Sequence, residues 1–224
     1  MNILYEDNHL LVVDKPVGIA TMGLPVGEKT LLTEARDYVK RKYNKPGNVY
    51  LGVVSRLDVP VSGIVLFART SKAADRINEQ FRNRLVEKNY YAIVEGVIQP
   101  EAGECVDRLC EDKRHKRVWI AGENDRQVIE PEGKECRLTY RRIKLVSGGR
   151  HSLLEIRLET GRKHQIRLQL AHKGHPIVGD RKYGARTNIG DGNGIRLHAG
   201  KLVVRHPTTG ETLTLESPVP DVWF

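Results

Sequence analysis

Residues 2–14 carry polar and apolar positions in two short bursts, ILYED and HLLVVD, separated by Asn8. Runs of this length and pattern predict two strands joined by a tight turn. Lys15-Pro16-Val17-Gly18 then breaks regular structure, because proline lacks a backbone donor and glycine relaxes the chain. Over residues 30–43, Leu31, Ala35, Tyr38, Val39 and Lys42 recur near one helical face, with Arg36, Lys40 and Arg41 largely elsewhere. That spacing predicts an amphipathic helix with a basic outer side, ended by NKPGN at 44–48. The apolar runs VYLGVVS (49–55) and IVLFAR (64–69) have strand length. Ser71 is read as the N-cap of a helix to about residue 84, with Ala74, Ile77 and Phe81 on one face. KNYYAIVEG (88–96) returns to strand character, and residues 99–135 hold short β-like pieces around a basic turn from 113 to 117. Residues 136–146 and 151–159 flank Ser147-Gly148-Gly149-Arg150, a hairpin signal. Residues 161–173 predict a helix, with Ile166 and Leu170 four apart and Gly174 as its stop. NIGDGNG (188–194) reads as a loop, and residues 197–205 and 211–216 as two strands meeting across HPTTG. No repeat, low-complexity tract or linker interrupts the series, so one α+β domain with mostly antiparallel pairing is expected over 1–224.

Composition narrows the class. A chain of 224 residues with 39% hydrophobic and 29% charged positions is long enough to bury a core without disulfides or a structural metal. Its 37 basic against 28 acidic residues leave a net charge of +9. That excess fits a polyanionic partner, most often nucleic acid, or a basic surface kept for solubility. No run approaches the ~18 continuous apolar residues of a membrane span, so no membrane role is expected. Glu6, Asp7 and Asp14 interrupt the N-terminal apolar pattern and leave no secretory core. Cys105, Cys110 and Cys136 are odd in number and lack CxxC spacing, which fits a reducing compartment, the cytoplasm by default.

Three segments carry candidate chemistry. Arg56-Leu57-Asp58 is followed by Val59-Pro60-Val61-Ser62-Gly63, which sets a carboxylate just past an apolar strand. A strand end holds a side chain rigidly while its loop exposes it, although Asp, Pro and Gly are also ordinary turn residues. Thr160-Gly161 precede Arg162, Lys163, His164 and Arg167, and a helix N-terminus lined with cations suits a phosphate or carboxylate. A solvated basic face is the alternative. Tyr90 and Tyr91 point to opposite faces of one strand, one for packing and one as a platform for a base. His172 and His175 have no HExxH or cysteine pair beside them, so no metal site is expected. The glycines of GDGNG neither follow a strand nor open a helix, so they form no dinucleotide fingerprint.

Taken in order, ILYEDNHLLVVDKPVGIA, SRLDVPVSGIVLFART, VEKNYYAIVEG, LLEIRLETGRKHQIRLQLAHKGHPIVGDRKYG and RLHAGKLVVRHPTTGETLTLESPVP resemble the RluA-type RNA pseudouridine synthases. The resemblance spans about residues 3–220. It implies the pseudouridine synthase fold, a largely antiparallel mixed sheet with flanking helices and a central active-site cleft. It also implies isomerisation of uridine to pseudouridine in rRNA or tRNA by an essential aspartate. The motifs carry that aspartate to Asp58, the active-site tyrosine to Tyr90, and the arginine that pairs with the aspartate to Arg167. They mark Arg56, Leu57, Arg162, His164, Gln165 and Leu197 for substrate, Leu197 as an apolar wall.

The residue types suit this chemistry. A carboxylate serves as nucleophile or base, a guanidinium keeps it ionised, and a tyrosine ring stacks on uracil. No cofactor is implied, since an isomerisation changes neither oxidation state nor composition. The expected partner is structured RNA, where a loop uridine is cheap to extrude, and the expected state is a monomer. The tracts 36–45, 113–117 and 137–144 are candidate phosphate contacts. Two positions depart from the family pattern, Ser55 where histidine is common and Val61 where threonine is common. The family's frequent N-terminal S4-like domain is not expected, since the catalytic pattern starts at Asn2. The rivals are an RNA-binding protein without turnover and a basic hydrolase using Asp58 with His164.

Overall fold

The computed structural model describes residues 1–25, 27–112, 114–115, 117–122, 133–189 and 194–224. Among these, the strands are β1 (Asn2–Glu6), β2 (Leu10–Lys15), β3 (Gly52–Val53), β4 (Ser62–Ala68), β5 (Glu87–Glu95), β6 (Ala102–Asp112), β7 (Arg117–Ile120), β8 (Lys134–Val146), β9 (His151–Leu158), β10 (Leu197–Arg205) and β11 (Thr212–Glu216). The helices are α1 (Leu31–Lys42), α2 (Ser71–Arg82) and α3 (Gln165–His172). The chain divides into two compact units, one holding most of residues 1–88 and 198–219, the other most of 89–189 with 195–197 and 220–224.

In the first unit β2 and β4 pair antiparallel along their whole length, from Leu10 opposite Ala68 to Lys15 opposite Gly63. Residues 10–13 of β2 and 64–68 of β4 are apolar without interruption because both faces are covered there. Leu10, Val12, Ile64 and Leu66 face Ile77 of α2, while Leu11, Val13, Val65 and Phe67 face Leu31, Ala35 and Val39 of α1. The two-residue period of the strands thus feeds two cores from one sheet. β1 pairs with β2, and β11 with β10, both antiparallel. β10 runs parallel to β4 at Ser62–His198 and Gly63–Ala199, which makes the sheet mixed.

In the second unit β5, β9, β8, β6 and β7 follow one another, all antiparallel. α3 lies against β6 and β7, where Leu168 joins Leu109, Val118, Ile120 and Cys136.

This is the expected α+β class, with four local corrections. The strand expected over 49–55 shrinks to Gly52–Val53, since Tyr50 is exposed and Ser55 takes a strand donor with its side chain instead. Thr70, not Ser71, caps α2, its hydroxyl accepting from the Ala73 amide at 3.1 Å. The short pieces expected across 99–135 include one eleven-residue strand, β6. The helix expected from Gly161 starts at Gln165, because His164 adopts a left-handed conformation (φ 55°) immediately before it. Most of the 188–194 loop and parts of 113–117 lie outside the described residues.

Gly63 shows how tightly the first unit is drawn around residue 58. Its φ is +112°, and a Cβ there would lie 2.6 Å from the Ala199 nitrogen, a backbone atom that cannot swing aside. Gly63→Ala is therefore expected to destabilise by about 3 kcal/mol or more, through strain and overpacking together. Chemical denaturation of the two proteins measures this directly; equal midpoints would show that the β4–β10 contact yields easily.

Candidate functional site

The candidate aspartate sits on a loop whose main chain is held from several directions. After β3, Ser55 Oγ accepts from the Leu66 amide at 2.9 Å, anchoring the chain to β4. Arg56 is exposed, Leu57 leans on the α1-side core, and Asp58 is half-buried. The Val61 amide donates to the Asp58 carbonyl at 3.1 Å and closes a turn that contains Pro60.

Residues 15–21 cradle this loop. Thr21 accepts from the Leu57 amide at 3.1 Å and donates to the Leu57 carbonyl at 2.9 Å. The Gly18 amide donates to the Val59 carbonyl at 2.9 Å. Lys15 is wholly buried, and its ammonium donates to the carbonyls of Pro16 (2.9 Å), Ile19 (2.9 Å) and Val59 (3.2 Å). Burial pushes Lys15 down to about 8, against the opposing pull of the Asp58 charge. Just beyond the loop, buried Ser62 meets His198 Nδ1 at 2.9 Å, while His198 Nε2 meets the Ser217 carbonyl at 3.1 Å. Burial also lowers the pKa of this imidazole.

The second unit holds the other candidates. Tyr90 and Tyr91 of β5 are both half-buried, Tyr90 opposite Ile156 and Tyr91 opposite Glu155 on β9. Leu197, the first residue of β10, is 3% exposed. Arg167 is buried on α3 and grips Asp180 with two parallel bonds, Nε to Oδ2 at 2.7 Å and Nη2 to Oδ1 at 2.9 Å. This fork geometry is the strong form of an ion pair. The guanidinium carbon also stands 5.0 Å from the centre of the Tyr183 ring, whose hydroxyl meets His164 Nδ1 at 2.5 Å. His164 and Arg167 thus converge on Tyr183, although His164 lies just outside α3 in a left-handed conformation.

Two expectations for this segment change. Arg162 and Lys163 are exposed and precede α3, so they do not line its first turn. Gln165 is 2% exposed with its amide fully committed: Oε1 accepts from Thr160 Oγ1 and the Arg162 amide, and Nε2 donates to the Arg137 carbonyl and Gln169. Its partners define an internal brace and leave its amide no spare capacity for substrate.

Sequence reasoning missed Asp180, Tyr183, Lys15 and Thr21. Asp180 and Tyr183 belong to the GDRKYG segment, but nothing in the spacing marks them as partners of Arg167. The basic tracts also divide. Arg137 pairs with Glu104, Arg141 with Glu155 and Arg142 with Glu101, so that tract is largely neutralised within the chain. In the first tract Lys42 binds Glu6, whereas Arg36, Lys40, Arg41 and Lys45 are exposed.

Comparison with known proteins adds family and fold. The RNA pseudouridylate synthase family profile matches residues 9–172. An uncharacterised RNA pseudouridine synthase of Bacillus subtilis is 33% identical over 98% of this chain and 69% of its own length. A dual-specificity RNA pseudouridine synthase of Haemophilus influenzae is 34% identical over 97% of this chain and 92% of its own. A solved human protein, RNA Pseudouridylate Synthase Domain Containing 4, superposes with a TM-score of 0.79 at 24% identity, covering 98% of this chain and 89% of that one.

Proposed function

Because the chain belongs to the RNA pseudouridine synthase family, we propose that it isomerises particular uridines of a structured rRNA or tRNA, with Asp58 as the essential carboxylate. The reaction breaks the N1–C1′ bond, turns the uracil and joins C5 to C1′. The C5 proton leaves and N1 gains one, so atoms balance without redox change and no cofactor is required.

The observation that carries this reading is the cradle under Asp58. Lys15, Gly18 and Thr21 fix the backbone on both sides of the carboxylate while leaving its side chain out of those bonds. Such preorganisation suits a group that must attack or deprotonate at one atom. The same family pattern gives Tyr90 the task of stacking on the uracil and Arg167 that of a fixed guanidinium. The two departures from it have structural duties, since Ser55 anchors to β4 and Val61 is 3% exposed.

Residues 1–224 act together as the catalytic domain, and the protein works as a monomer in the cytoplasm. Among the described residues no helix is long and apolar enough to cross a membrane. The expected result is a pseudouridine that disappears from total RNA when the gene is deleted and returns with the wild-type gene, read by carbodiimide-dependent primer extension. Purified protein that leaves its own cells' unmodified RNA unchanged would favour RNA binding without turnover.

A further inference from the structure

On the outer side of α1, Arg36 and Lys40 are both exposed and four residues apart, which sets them on one face of the helix. Like charges at that spacing repel and cost a helix stability. Neither forms an ion pair among the described residues, unlike Arg137, Arg141 and Arg142, each of which meets a glutamate of its own unit. The two cations face a groove of about 540 Å³ whose far wall is the chain at 47–50, with Asp37 as its one carboxylate. Tyr50 closes this wall and is 51% exposed. The ring is seated at one end. A Cβ at Gly52 would lie 2.9 Å from the Tyr50 hydroxyl and 3.0 Å from Ala74 Cβ, so the missing side chain makes the seat. An exposed ring fixed at one end beside two uncompensated cations is what a stacked base and its phosphates require.

We propose that this groove binds a single-stranded stretch of the RNA flanking the target uridine, with one base stacked on Tyr50 and phosphates on Arg36 and Lys40. The proposal rests on the reading of the substrate as RNA. α1 ties the groove to the catalytic loop. Its first amides, those of Leu31 and Leu32, donate to the carbonyls of Ala20 (2.9 Å) and Thr21 (3.1 Å), and Thr21 is the residue that holds the Leu57 peptide. At 1.5 Å per residue, Arg36 and Lys40 lie about 8 and 14 Å along the helix from Leu31. That is about two to four nucleotides beyond the cradle at 3.4 Å each. Stacking tolerates any base, so the groove supplies affinity and register, while the choice of uridine stays with the catalytic loop.

The test uses the full chain and a fluorescein-labelled oligouridylate, its affinity read by fluorescence anisotropy over a range of salt. Tyr50→Leu, which keeps apolar bulk but removes the ring, should weaken binding about fivefold or more, whereas Tyr50→Phe should stay within about twofold of the wild type. The double variant Arg36→Gln with Lys40→Gln should flatten the slope of log affinity against log salt by about 1.4, two phosphates at about 0.7 each. Under ultraviolet light, an oligouridylate carrying 4-thiouridine should attach to the peptide that contains Tyr50, located by mass spectrometry. Equal affinity in Tyr50→Leu and the wild type overturns the proposal. So does a salt slope that falls in the double variant while Tyr50→Leu binds normally, since that leaves only a phosphate-attracting surface. All four side chains exchanged are exposed, and thermal unfolding confirms that each variant folds. If the protein makes no pseudouridine and the ring is still required for binding, the assigned reaction fails and the groove stands. If turnover is normal and Tyr50→Leu changes neither affinity nor KM, the groove fails and the reaction stands.

Discussion

Asp58→Asn is expected to abolish pseudouridine formation while leaving the protein folded. The carboxylate becomes a neutral amide of nearly the same volume, which is neither a nucleophile nor a base. Loss of a group that forms the reactive bond lowers turnover by roughly 10³-fold or more. The fold should hardly register the change, because the loop is secured by its main chain. Thr21 bonds both polar groups of the Leu57 peptide, Gly18 and Lys15 hold the Val59 carbonyl, and the Val61 amide holds that of residue 58. Thermal unfolding should therefore shift by no more than a few degrees, the scale of ~1 kcal/mol in a chain of this length. Release of tritium from C5 of labelled uridine in RNA reads the activity, since that hydrogen must leave on isomerisation. Turnover above roughly 1% of the wild type would remove Asp58 from the chemistry, and global unfolding would instead make it part of the frame.

The parts of this molecule legible in its sequence are those where one local signal has one structural outcome. β1 and β2 follow from two apolar bursts and the break at Asn8, and α1 from the 3.6-residue recurrence behind Thr30, whose hydroxyl accepts from the Thr33 amide. Where two residues compete for one role, the pattern is silent. Thr70 and Ser71 are both good caps, and only the packed helix selects the first. α3 begins late because Thr160 and Gln165 satisfy the chain between them and His164 turns left-handed, none of which hydrophobic spacing encodes. Asp58, Tyr90 and Arg167 are proposed as site residues from the ordered motifs alone. What supports them could not be named that way. Lys15 reads as the start of a turn, yet three carbonyls brought together by tertiary folding make it a buried ion. Asp180 lies 13 residues beyond its partner, past the end of α3, a separation no helical or strand period connects.

That partnership gives the second large effect. Arg167→Ala should cost both activity and stability, for separable reasons. The Arg167 side chain is 6% exposed and that of Asp180 2%, so removing the guanidinium strands a carboxylate in the interior. Breaking a buried pair from one side costs about 3–5 kcal/mol, more than the pair contributes, because the remaining charge loses its compensation. At about 2–4 °C per kcal/mol, the unfolding midpoint should fall by roughly 10 °C. The neutral double variant Arg167→Met with Asp180→Asn removes both charges and should recover much of that loss. It should not recover turnover, because the guanidinium is still missing. Thermal unfolding of Arg167→Met, Asp180→Asn and the double variant closes the cycle, with a coupling energy of about 2 kcal/mol or more expected for a buried bidentate pair. Additive effects would mean that the two groups act independently despite their 2.7 and 2.9 Å contacts. A double variant that is stable and fully active would reduce Arg167 to architecture. One that is stable and inactive would show that the protein keeps a costly buried ion pair for the guanidinium it holds in place.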